Sequence, residues 1–542
     1  MIGNDYLFTD IGIDSLGFNA PRYYVKLEEL AKERNVDPAK FSKGLMLKEM
    51  RLPDTDEDII SIGLKAGYNA LVRGNINPKE IDAIFVGTET VTYAVKSVSN
   101  IFAELLGVSS NCLTQDIYNA CAGGTLAVLN AIGLIEKEVI NKALVISADI
   151  SKYPIGSPSE PTQGSGAIAC VLSKNPRIAS FGKKFGKVSG NINDFWRPEG
   201  DENAHVFGHY SVDSYLKLQL EAYDNLINHI GEFYADYYAF HAPFSKLPLK
   251  CMRQIIEKRW VHNLNDLLNL NRNQLKDSLF KKIDSFLQDI SVLPEYVYLN
   301  LKERGLSSSR LEKLSNWVVS NVKGKILPHL SVPMHFGNMY NASVWSQIVY
   351  ILENYAREND TIYFGSYGSG ATCISGMMKV KYGFKSVMDK GPRIEDFMQN
   401  KERKSVKEYE SIKRGESDPD YLLGSIEAHE LNGDRGFTLR FCDEGCIIPN
   451  IEGLNYCPKG HDGYHERFFP LYAVLTSEPV KSDKYDLRFL NKGLVRIANN
   501  VNKDETLEYE IRRVEIKEEK GCNAPGLLNW APKYIPTKYV VH

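Results

Sequence analysis

The chain has no long block of charges of one sign. Its 65 basic and 68 acidic residues nearly cancel, which leaves a formal net charge of -3 over 542 residues. A protein that binds nucleic acid mainly by electrostatics concentrates positive charge on one segment or face. The composition therefore argues against a nucleic-acid-binding function.

Long apolar runs are missing as well. No window of the sequence approaches the ~20 apolar residues that a membrane-spanning helix needs. The first residues, MIGNDYLFTDIGIDSLGF, contain no basic segment followed by an apolar stretch and so do not resemble a secretory signal peptide. We therefore expect a cytoplasmic protein that does not interact with a membrane.

Cysteine is sparse: the chain has nine, an odd number, and most stand in apolar or glycine-rich surroundings. Small secreted domains carry a much denser and paired set, so a disulfide scaffold is excluded and we interpret the cysteines as reduced thiols. The residues that are present, 43% hydrophobic and 25% charged, are typical of a globular protein. A chain of this length exceeds one hydrophobic core, which predicts at least two packed units.

Short β-rich runs alternate with helical patterns along the first part of the chain. The alternation predicts an α/β fold with helices around a buried sheet; the strand-like runs are 10–18, 81–89 and 142–150, and the helix-like ones are 60–74, 97–107 and 122–136. The second part repeats this order, with a β-rich run at 237–243, a loop that leads into a helix at 337–355 and a strand at 361–371. We interpret the repeat as a duplicated core.

Composition divides the chain into three parts. We predict a first half at 1–175, a second half at 176–415 and a β-rich C-terminal extension at 420–542. Within the second half, about 251–327 is rich in Leu, Lys, Asn and Asp with helical periodicity, which predicts an inserted helical segment. The charged segment 389–418 is typical of a solvated helix and linker.

The segment DIYNACAGGTLAVLNAIGLIE places Cys121 between a strand and a helix. Gly123 and Gly124 let the backbone approach a ligand closely. The positive end of the helix is expected to lower the pKa of the thiol, and amides of the same turn can hold an oxyanion. A nucleophilic cysteine and a small buried cysteine are both compatible with this segment alone.

Two further polar residues follow β-rich runs: His241 in YAFHAPFSK and Asn338 in HFGNMYNAS. Open α/β folds bind ligands where strands end and loops begin. Each residue alone is as easily a satisfied core or surface residue, but together with Cys121 they suggest an active site.

These residues stand in motifs that resemble the HMG-CoA synthases of the thiolase superfamily, which condense acetyl-CoA with acetoacetyl-CoA. The motifs occur in the family's order over roughly 8–415 and are GTE at 87–89, NACAGGT at 119–125, EPTQGSGAIA at 160–169, DFWRPEG at 194–200, FHAPFSK at 240–246, GNMYNAS at 337–343 and SYGSGA at 366–371. The resemblance implies a thiolase-like duplicated core with five alternating layers, αβαβα. It also implies an acyltransferase of the mevalonate pathway for isoprenoid biosynthesis that uses CoA thioester substrates and no catalytic cofactor.

Glu89 distinguishes this reaction from that of related enzymes. Ketoacyl synthases of the same superfamily also use Cys, His and Asn, but they generate a carbanion by decarboxylation. An acetyl group has no carboxylate to lose, so a base must remove a methyl proton, and a glutamate with a pKa raised by burial suits that task. Glu89 stands at the family's catalytic glutamate; a glutamate that only caps a helix or lies at the surface is the alternative.

The resemblance implies a role for each remaining candidate. Cys121 carries the acetyl group while amides near Cys121 and Ser369 hold the thioester oxygen, His241 orients the second substrate and donates to its ketone, and Asn338 positions that thioester. The residues expected to contact substrate are Lys246, Gly368, Tyr340, Asp149 and Gly123. For Lys246, a solvated surface charge is the alternative. For Asp149, the alternative is that it orients backbone groups near the site.

One departure from the family concerns Phe207. Bacterial and animal members carry an aspartate in a V-D-G-x-x-S context, where this chain reads VFGHYS, and His205 or His209 are candidates to replace part of its role. Two other functions stay open at this point. One is a ketoacyl or polyketide β-branching synthase that acts on an acyl carrier protein, and the other is a non-catalytic CoA-binding scaffold.

The tail carries C-x3-C-x10-C-x3-H. Three cysteines and a histidine are able to bind a structural zinc ion; the alternative is that these cysteines bind no metal and lie in a β-rich fold. The candidate ligands are Cys442, Cys446, Cys457 and His461, with His465 as a further candidate. In archaea, HMG-CoA synthases work beside an acetoacetyl-CoA thiolase through a bridging protein with a zinc ribbon and an OB-fold. The resemblance therefore suggests that the tail is a fused, OB-like counterpart of that bridge or a dimer-stabilising appendage. It also implies a homodimer or a dimer of dimers.

Overall fold

The structure is a computed structural model. It describes residues 7–255 and 324–416 continuously, and within the tail 421–429, 436–444, 447–448, 457, 461–482, 490, 493–497, 501–514 and 533–541. Most of the predicted helical insertion at 251–327 lies outside the described residues, as does the candidate ligand Cys446.

The first half of the chain forms eight strands and four α-helices. The strands are β1 (Phe8–Asn19), β2 (Tyr23–Lys26), β3 (Glu49–Leu52), β4 (Ala83–Gly87), β5 (Leu113–Ile117), β6 (Lys142–Ile150), β7 (Ser165–Lys174) and β8 (Ala179–Gly182). The helices are α1 (Leu27–Glu33), α2 (Ile59–Gly74), α3 (Ser99–Leu105) and α4 (Gly123–Glu136). Helix α2 begins where the Asp58 side chain accepts from the Ile60 and Ser61 amides and ends at Asn75 in a left-handed conformation.

The second half adds seven strands and seven α-helices among the described residues. The strands are β9 (Gly186–Ser189), β10 (Phe195–Trp196), β11 (His205–Val206), β12 (Tyr237–Phe240), β13 (Thr361–Gly368), β14 (Thr372–Val380) and β15 (Glu402–Arg403). The helices are α5 (Gly208–Ile230), α6 (Lys246–Ile255), α7 (Ser331–Phe336), α8 (Ser343–Asn354), α9 (Lys385–Met388), α10 (Ile394–Gln399) and α11 (Val406–Lys413). Short helical turns also occur at Lys40–Leu45, Pro78–Glu80, Glu160–Thr162, Pro328–Leu330 and Tyr340–Ala342.

The two halves share one sheet. Its strand order is β12-β13-β14-β8-β1-β7-β6-β4-β5, with β9 paired to β14. In the first half β4 runs parallel to β6, which forms an antiparallel pair with β7; in the second half β12 runs parallel to β13, which forms an antiparallel pair with β14. The repeated arrangement confirms the predicted duplication.

Alternate side chains of the strands face different cores, and this alternation produces the layers. Phe85 of β4 and Phe364 of β13 point into a central core that contains α4 and α8. Val86 points the other way, toward α2, and Tyr363 points toward α5 and α6. The first-half and second-half parts of the continuous sheet therefore form two layers on either side of α4 and α8, with α2 outside one layer and α5 and α6 outside the other. This order of layers confirms the predicted αβαβα core.

The described tail consists mainly of strands. They are β16 (Tyr421–Ala428), β17 (Gly436–Phe441), β18 (Ile447–Ile448), β19 (His465–Pro470), β20 (Tyr472–Leu475), β21 (Val480–Ser482), β22 (Leu494–Ile497), β23 (Thr506–Val514) and β24 (Lys533–Val541). Strand β16 pairs with both β20 and β22, so a closed ring forms in the order β16, β20, β23, β24 and β22. A separate small sheet consists of β17, β18 and β19. The OB-like assignment stays a prediction.

The tail packs on the outer face of α2 through buried charges. Arg496 and Arg512 both contact the Asp56 carboxylate just before α2, and Lys65 of α2 pairs with Glu508. Apolar residues of the tail join the core on this side of the sheet. The tail is therefore docked on the first half of the chain.

The segment at 389–418 differs from its prediction as a solvated helix and linker. Val406 and Tyr409 of α11 are buried, because the helix packs on the first-half core around β2, β3 and α1. As for membranes, none of the helices in the described parts of the chain combines the length and apolar character that crossing one demands.

Candidate active site

Cys121 lies in a tight turn between β5 and α4. It is buried and stands one residue before Ala122, the N-cap of α4. A Cβ on Gly87 at the end of β4 would lie 2.2 Å from the Gly124 backbone nitrogen, so only glycine allows α4 to begin this close to β4. The preceding Ala120 adopts a φ of 42°, a conformation that side chains other than glycine seldom take.

Glu89 meets Cys121 directly. It follows the end of β4, and the Cys121 Sγ donates a hydrogen bond of 2.9 Å to its Oε1. Both side chains are buried. The structure therefore brings the predicted nucleophile and the predicted base into one pocket.

Burial sets the ionisation of this pair. Desolvation, with a further contribution from the nearby Asp149 carboxylate, raises the pKa of Glu89 to about 8. Desolvation together with the Glu89 carboxyl also raises the pKa of the Cys121 thiol well above its ordinary value. The expectation of a thiol with a lowered pKa is therefore wrong for the resting site, because burial and neighbouring acids outweigh the field of α4.

Asp149 at the end of β6 organises the turn that carries Glu89. Its Oδ1 accepts hydrogen bonds of 2.9–3.0 Å from the Glu89 amide and from the amide or hydroxyl groups of Thr88 and Thr90. Its Oδ2 accepts from the amide and side chain of Asn341 at 3.0 and 2.8 Å. These hydrogen bonds fit the alternative role, in which Asp149 orients backbone groups near the site. Its contact with substrate stays a prediction.

Asn341 was missed by the sequence analysis. Its Oδ1 accepts from the Gly124 amide at 2.7 Å, and its Nδ2 donates to the Ala120 carbonyl at 2.9 Å. Asn341 therefore binds the turn on both sides of Cys121 and links it to Asp149. Only its position in GNMYNAS, three residues after the predicted Asn338, marked this neighbourhood.

An aromatic wall encloses the sulfur. Tyr153 and Tyr340 pack against Cys121, and Phe195 of β10 lies against both, with ring centroids 6.4 and 5.8 Å away. The phenols of Tyr153 and Tyr340 hydrogen-bond to each other. The wall excludes water from the place where an acyl group on Cys121 would lie.

His241 is buried at the end of β12. Its amide donates to the Gly365 carbonyl at 2.8 Å and its carbonyl accepts from the Tyr215 phenol at 2.6 Å, but its Nδ1 has no hydrogen-bond partner among the described residues. Burial lowers the pKa of His241 to about 3. The imidazole is therefore neutral near pH 7.

Asn338 is buried beside the aromatic wall. Its Oδ1 accepts a hydrogen bond from the Tyr340 backbone amide at 3.0 Å, and the Asn338 backbone amide donates to the Thr162 carbonyl at 3.1 Å. These bonds place Asn338 between the loop after β6 and the turn that leads into α8.

The end of β13 reaches the nucleophile turn. A Cβ on Gly368 would lie 2.8 Å from the Ala122 nitrogen, so β13 approaches the start of α4 closely, and Ser369 follows in the turn before β14. Asp194, which the sequence analysis did not single out, accepts from the Gly370 amide at 3.1 Å and from the Tyr367 phenol at 2.8 Å. Asp194 thereby fixes the turn that contains Ser369.

Among the described contacts, the hydrogen bond of the Lys246 side chain does not reach this constellation, whereas the Phe207 backbone amide donates to the Asp194 carbonyl at 3.0 Å. Lys246 at the start of α6 donates from its Nζ to the Lys43 carbonyl at 3.0 Å. Phe207 is exposed and lies against Trp196, while His205 pairs with Asp201 at 2.8 Å. His209 is exposed as well. Val206, the neighbour of His205 in β11, packs against the aromatic wall. Because successive side chains of a strand point to opposite faces, His205 points away from that wall.

Arg197, a second residue that the sequence analysis missed, contacts the Glu89 turn. Its Nη2 donates to the Glu89 carbonyl at 3.0 Å and its Nη1 donates to the Asp201 carbonyl at 3.2 Å. Its positive charge partly offsets the rise in the pKa of Glu89. It followed Trp196 in the quoted DFWRPEG motif, but spacing alone did not indicate a contact with Glu89.

Three of the four candidate metal ligands of the tail meet. The Cys442, Cys457 and His461 ligand atoms lie within 4.8 Å of one another. His465 stands apart, because its Nε2 is paired with the Asp443 carboxylate at 2.6 Å.

Comparison with known proteins finds similar chains of one enzyme family. The family model for the N-terminal part of hydroxymethylglutaryl-coenzyme A synthase matches residues 8–176, and the model for the C-terminal part matches residues 186–412. The chain is 30% identical to the hydroxymethylglutaryl-CoA synthase of Gibberella zeae over 387 residues, 67% of this chain and 80% of that enzyme. It is 33% identical to the synthase of Enterococcus faecalis over 244 residues. This match covers 45% of this chain and 63% of that enzyme, which is less than two thirds of its length.

Solved structures of similar proteins share the fold. One is described as MvaS in complex with 3-hydroxy-3-methylglutaryl coenzyme A, with a TM-score of 0.63 and 25% identity over 84% of this chain and 99% of that one. Another is an HMG-CoA synthase complexed with CoA, with a TM-score of 0.60 and 23% identity over 86% of this chain and 96% of that one. With both family models matched in order over most of its length, this chain belongs to the hydroxymethylglutaryl-CoA synthase family.

Proposed function

We propose that the chain condenses acetyl-CoA with acetoacetyl-CoA and water to give 3-hydroxy-3-methylglutaryl-CoA and CoA, as an acyltransferase of isoprenoid biosynthesis. The observation that carries the proposal is the contact of 2.9 Å between Cys121 and Glu89 inside a buried pocket. This contact supports the assignment of Cys121 as the nucleophile that holds the acetyl group and of Glu89 as the base. Family membership supports the same reaction.

In the first step Cys121 attacks the thioester carbonyl of acetyl-CoA. The Sγ–C bond forms, CoA leaves as a thiol, and the thiol proton of Cys121 passes to the leaving sulfur by way of the pocket's acid–base groups. Amides at the start of α4 and in the turn at Ser369 hold the oxyanion, which the approach of Gly368 to Ala122 supports.

In the second step Glu89 removes a proton from the acetyl methyl group. A carboxylate that contacts Sγ at 2.9 Å lies within reach of a methyl group two bonds from that sulfur. The raised pKa of Glu89 strengthens it as a base, and the dry aromatic wall protects the enolate from protonation by water.

In the third step the enolate carbon attacks the ketone carbon of acetoacetyl-CoA. His241 is neutral, so it acts as a hydrogen-bond donor to the ketone oxygen rather than as an imidazolium acid. Asn338 positions the second thioester and Lys246 faces its CoA moiety. Water then hydrolyses the Cys121 thioester and releases the product.

The matched solved structures contain CoA or HMG-CoA, which fits CoA thioester substrates. The proposed steps use protein groups alone. The predicted structural zinc concerns the tail and is not part of them. The cytoplasmic location and the contact with an acetoacetyl-CoA thiolase stay predictions of the sequence.

The test of the proposed reaction is a CoA-release assay with both substrates, together with trapping of radiolabelled acetyl on the protein. Glu89→Ala is expected to lower condensation by about a hundredfold or more while Cys121 is still acetylated. Self-acetylation survives because loss of the Glu89 carboxyl lowers the pKa of Cys121 toward its ordinary value.

Cys121→Ala provides the second arm of this assay and is expected to abolish both acetylation and condensation. A Glu89→Ala enzyme that condenses at the wild-type rate would refute the assignment of the base. Product formed only from acetoacetate on an acyl carrier protein would favour a β-branching synthase instead.

We also propose that β5 forms a homodimer interface. This strand ends the described order of the main sheet, and Leu113 in it is 46% exposed. Val91, Val95 and Tyr118 expose further apolar surface in the segments around it. An unpaired edge with apolar neighbours favours pairing with a second copy across a two-fold axis. Sedimentation that finds a dimer in the wild type and a monomer in Leu113→Lys supports the interface; a dimer in both contradicts it.

A further inference from the structure

We propose that the tail binds one zinc ion through Cys442, Cys457 and His461. The first argument is distance. The Cys442 Sγ and the Cys457 Sγ each lie 3.6 Å from the same atom, the Nδ1 of His461. A tetrahedral zinc site with Zn–S of about 2.3 Å and Zn–N of about 2.0–2.1 Å separates sulfur and nitrogen by about 3.6 Å.

The second argument concerns bonding capacity. One imidazole nitrogen has a single lone pair or a single N–H, so it forms one good hydrogen bond. Two thiols at equal distances from one nitrogen therefore suit a shared metal ion better than two hydrogen bonds. Two sulfurs and one nitrogen favour zinc among the common divalent ions.

Burial is the third argument. Cys442 and Cys457 form a small buried cluster with Ile448. Buried thiol groups held this close together suit a zinc ion, which binds sulfur in the deprotonated form and supplies the balancing positive charge.

The site has a structural role because of where its ligands stand. Cys442 directly follows β17 and His461 precedes β19, its partner strand. A metal ion that joins these residues closes the connection between the two strands and so stabilises the small sheet. Both family models end before this part of the chain, so the site is additional to the family's chemistry.

The test is metal analysis of the full chain purified without chelator. One zinc ion per chain is expected, with loss of that zinc in Cys442→Ser and Cys457→Ser. Cys112→Ser is the matched control, because Cys112 is partly exposed and far from the tail in sequence, and it should keep the zinc. Removal of zinc by a chelator is expected to lower the melting temperature.

Cobalt gives a readout that does not depend on whether the variants fold. Wild-type protein exchanged into Co²⁺ is expected to show thiolate-to-cobalt charge-transfer absorption and the visible bands of a tetrahedral ion. Wild-type protein that holds no zinc and gives no such bands, or a Cys442→Ser/Cys457→Ser double variant that keeps stoichiometric zinc, would overturn the proposal.

A second observation carries an independent inference about Arg197, which rests on the proposed condensation. We infer that Arg197 is a positioning residue that holds the Glu89 turn in place and keeps the Glu89 carboxyl able to ionise. Its guanidinium ties the Glu89 carbonyl to the Asp201 carbonyl across the mouth of the pocket. Planar guanidinium suits such a two-pronged contact better than ammonium does.

The charges around Glu89 show why a cation is needed there. Asp149 of β6 faces it with a negative charge, the Cys121 thiol donates to it, and the Tyr153 and Tyr340 phenols lie beside it. Burial and the Asp149 charge raise the pKa of Glu89 and favour the neutral carboxyl, whereas the hydrogen bond from Cys121 and the charge of Arg197 favour the carboxylate. Without Arg197, less of the base is ionised at neutral pH.

The test compares pH profiles of condensation in Arg197→Met, Arg197→Lys and wild type. The midpoint of the rising limb is expected to move to higher pH in Arg197→Met, because a cation that favours the carboxylate is lost, and to stay near the wild-type value in Arg197→Lys. Lys152→Met, which removes an exposed cation near the site, is the control and should leave the midpoint unchanged.

A merely structural role would lower the rate at every pH without moving the midpoint, and that outcome would overturn the inference. Glu89→Ala separates this result from failure of the proposed reaction. If Glu89→Ala does not condense but Arg197→Met keeps the wild-type midpoint, only the inference about Arg197 is wrong.

Discussion

At the scale of single residues, the site depends on keeping one carboxyl group in a nearly dry environment. The methyl group of a thioester is a weak acid, so an ordinary glutamate with a pKa of 4.5 is a poor base for it. Burial beside Asp149 makes Glu89 a stronger base, and the hydrogen bonds that Asp149 accepts from the turn hold Glu89 against Cys121. The same burial keeps Cys121 protonated until substrate arrives.

This ionisation predicts the pH dependence of condensation. Glu89 must be a carboxylate to accept the proton, and its pKa is raised to about 8, so the rate should rise with pH and level off above that value. Below the midpoint the rate should change about tenfold per pH unit. CoA release measured between about pH 6 and 10 checks this. A rate of CoA release that does not change with pH in the acidic part of this range would contradict the prediction.

Much of the site was predictable residue by residue, but not its electrostatics. Cys121 and Glu89 follow strand-like runs in recognisable motifs. The roles of Asn341 and Arg197 were not predicted, because their contacts join residues 217 and 108 positions apart and involve backbone atoms. Such contacts leave no local pattern in the sequence. The sign of the pKa shift of Cys121 was wrong for the same reason, since it depends on side chains that only the fold brings together.

At the scale of elements, hydrophobic periodicity predicted the core well. The predicted helix at 60–74 is α2 at Ile59–Gly74, and the predicted strand at 142–150 is β6 at Lys142–Ile150. The charged segment was misjudged because α11 buries a narrow face, Val406 and Tyr409, among many charges. A helix of eight residues with two buried side chains produces almost no periodic signal.

Helix α11 also supports the aromatic wall. The Lys413 Nζ donates to the Gln163 Oε1 at 2.5 Å and to the Tyr153 carbonyl, and the Gln163 Nε2 donates to the Tyr409 phenol at 2.7 Å. Glu160 accepts from Tyr409 at 3.0 Å and is held by Arg34. The loop that carries Tyr153 is therefore fastened to α11.

Lys413→Met removes this fastening and should weaken the enclosure of Cys121. We expect a several-fold lower kcat for condensation and a loss of stability of about 1–3 kcal/mol, the value of a hydrogen bond to a charged group. Lys407→Met, an exposed lysine on the same helix, is the control and should change neither. Kinetics and urea unfolding of both variants provide the measurement, and equal behaviour of the two would contradict the role of Lys413.

At the scale of the whole molecule, the tail is attached by a compact group of buried charges. Arg512 contacts both Asp56 and Glu57 at 3.1 Å, and it also pairs with Glu510 in its own strand. Buried ion pairs add little net stability, but loss of one partner leaves the others unpaired in a desolvated place. Docking of the tail therefore depends strongly on this arginine.

Arg512→Met should release the tail from α2. Leaving Asp56 and Glu57 without this partner is expected to cost about 3–5 kcal/mol, and a protease should then cleave the chain between α11 and β16 faster. Lys503→Met, an exposed tail lysine, serves as the control and should stay within about 0.5 kcal/mol of wild type. A tail as resistant to protease in Arg512→Met as in wild type would refute the importance of the cluster.

The duplicated sheet has a consequence for how the two copies share the chemistry. Cys121 and Glu89 both belong to the strands and turns of the first copy, whereas His241 and Asn338 belong to the second. In the proposed reaction, loading and activation of the two-carbon unit therefore depend on one copy, and binding of the acceptor ketone depends on the other. The proposed carbon–carbon bond would then form between the two copies, where the ends of their strands meet.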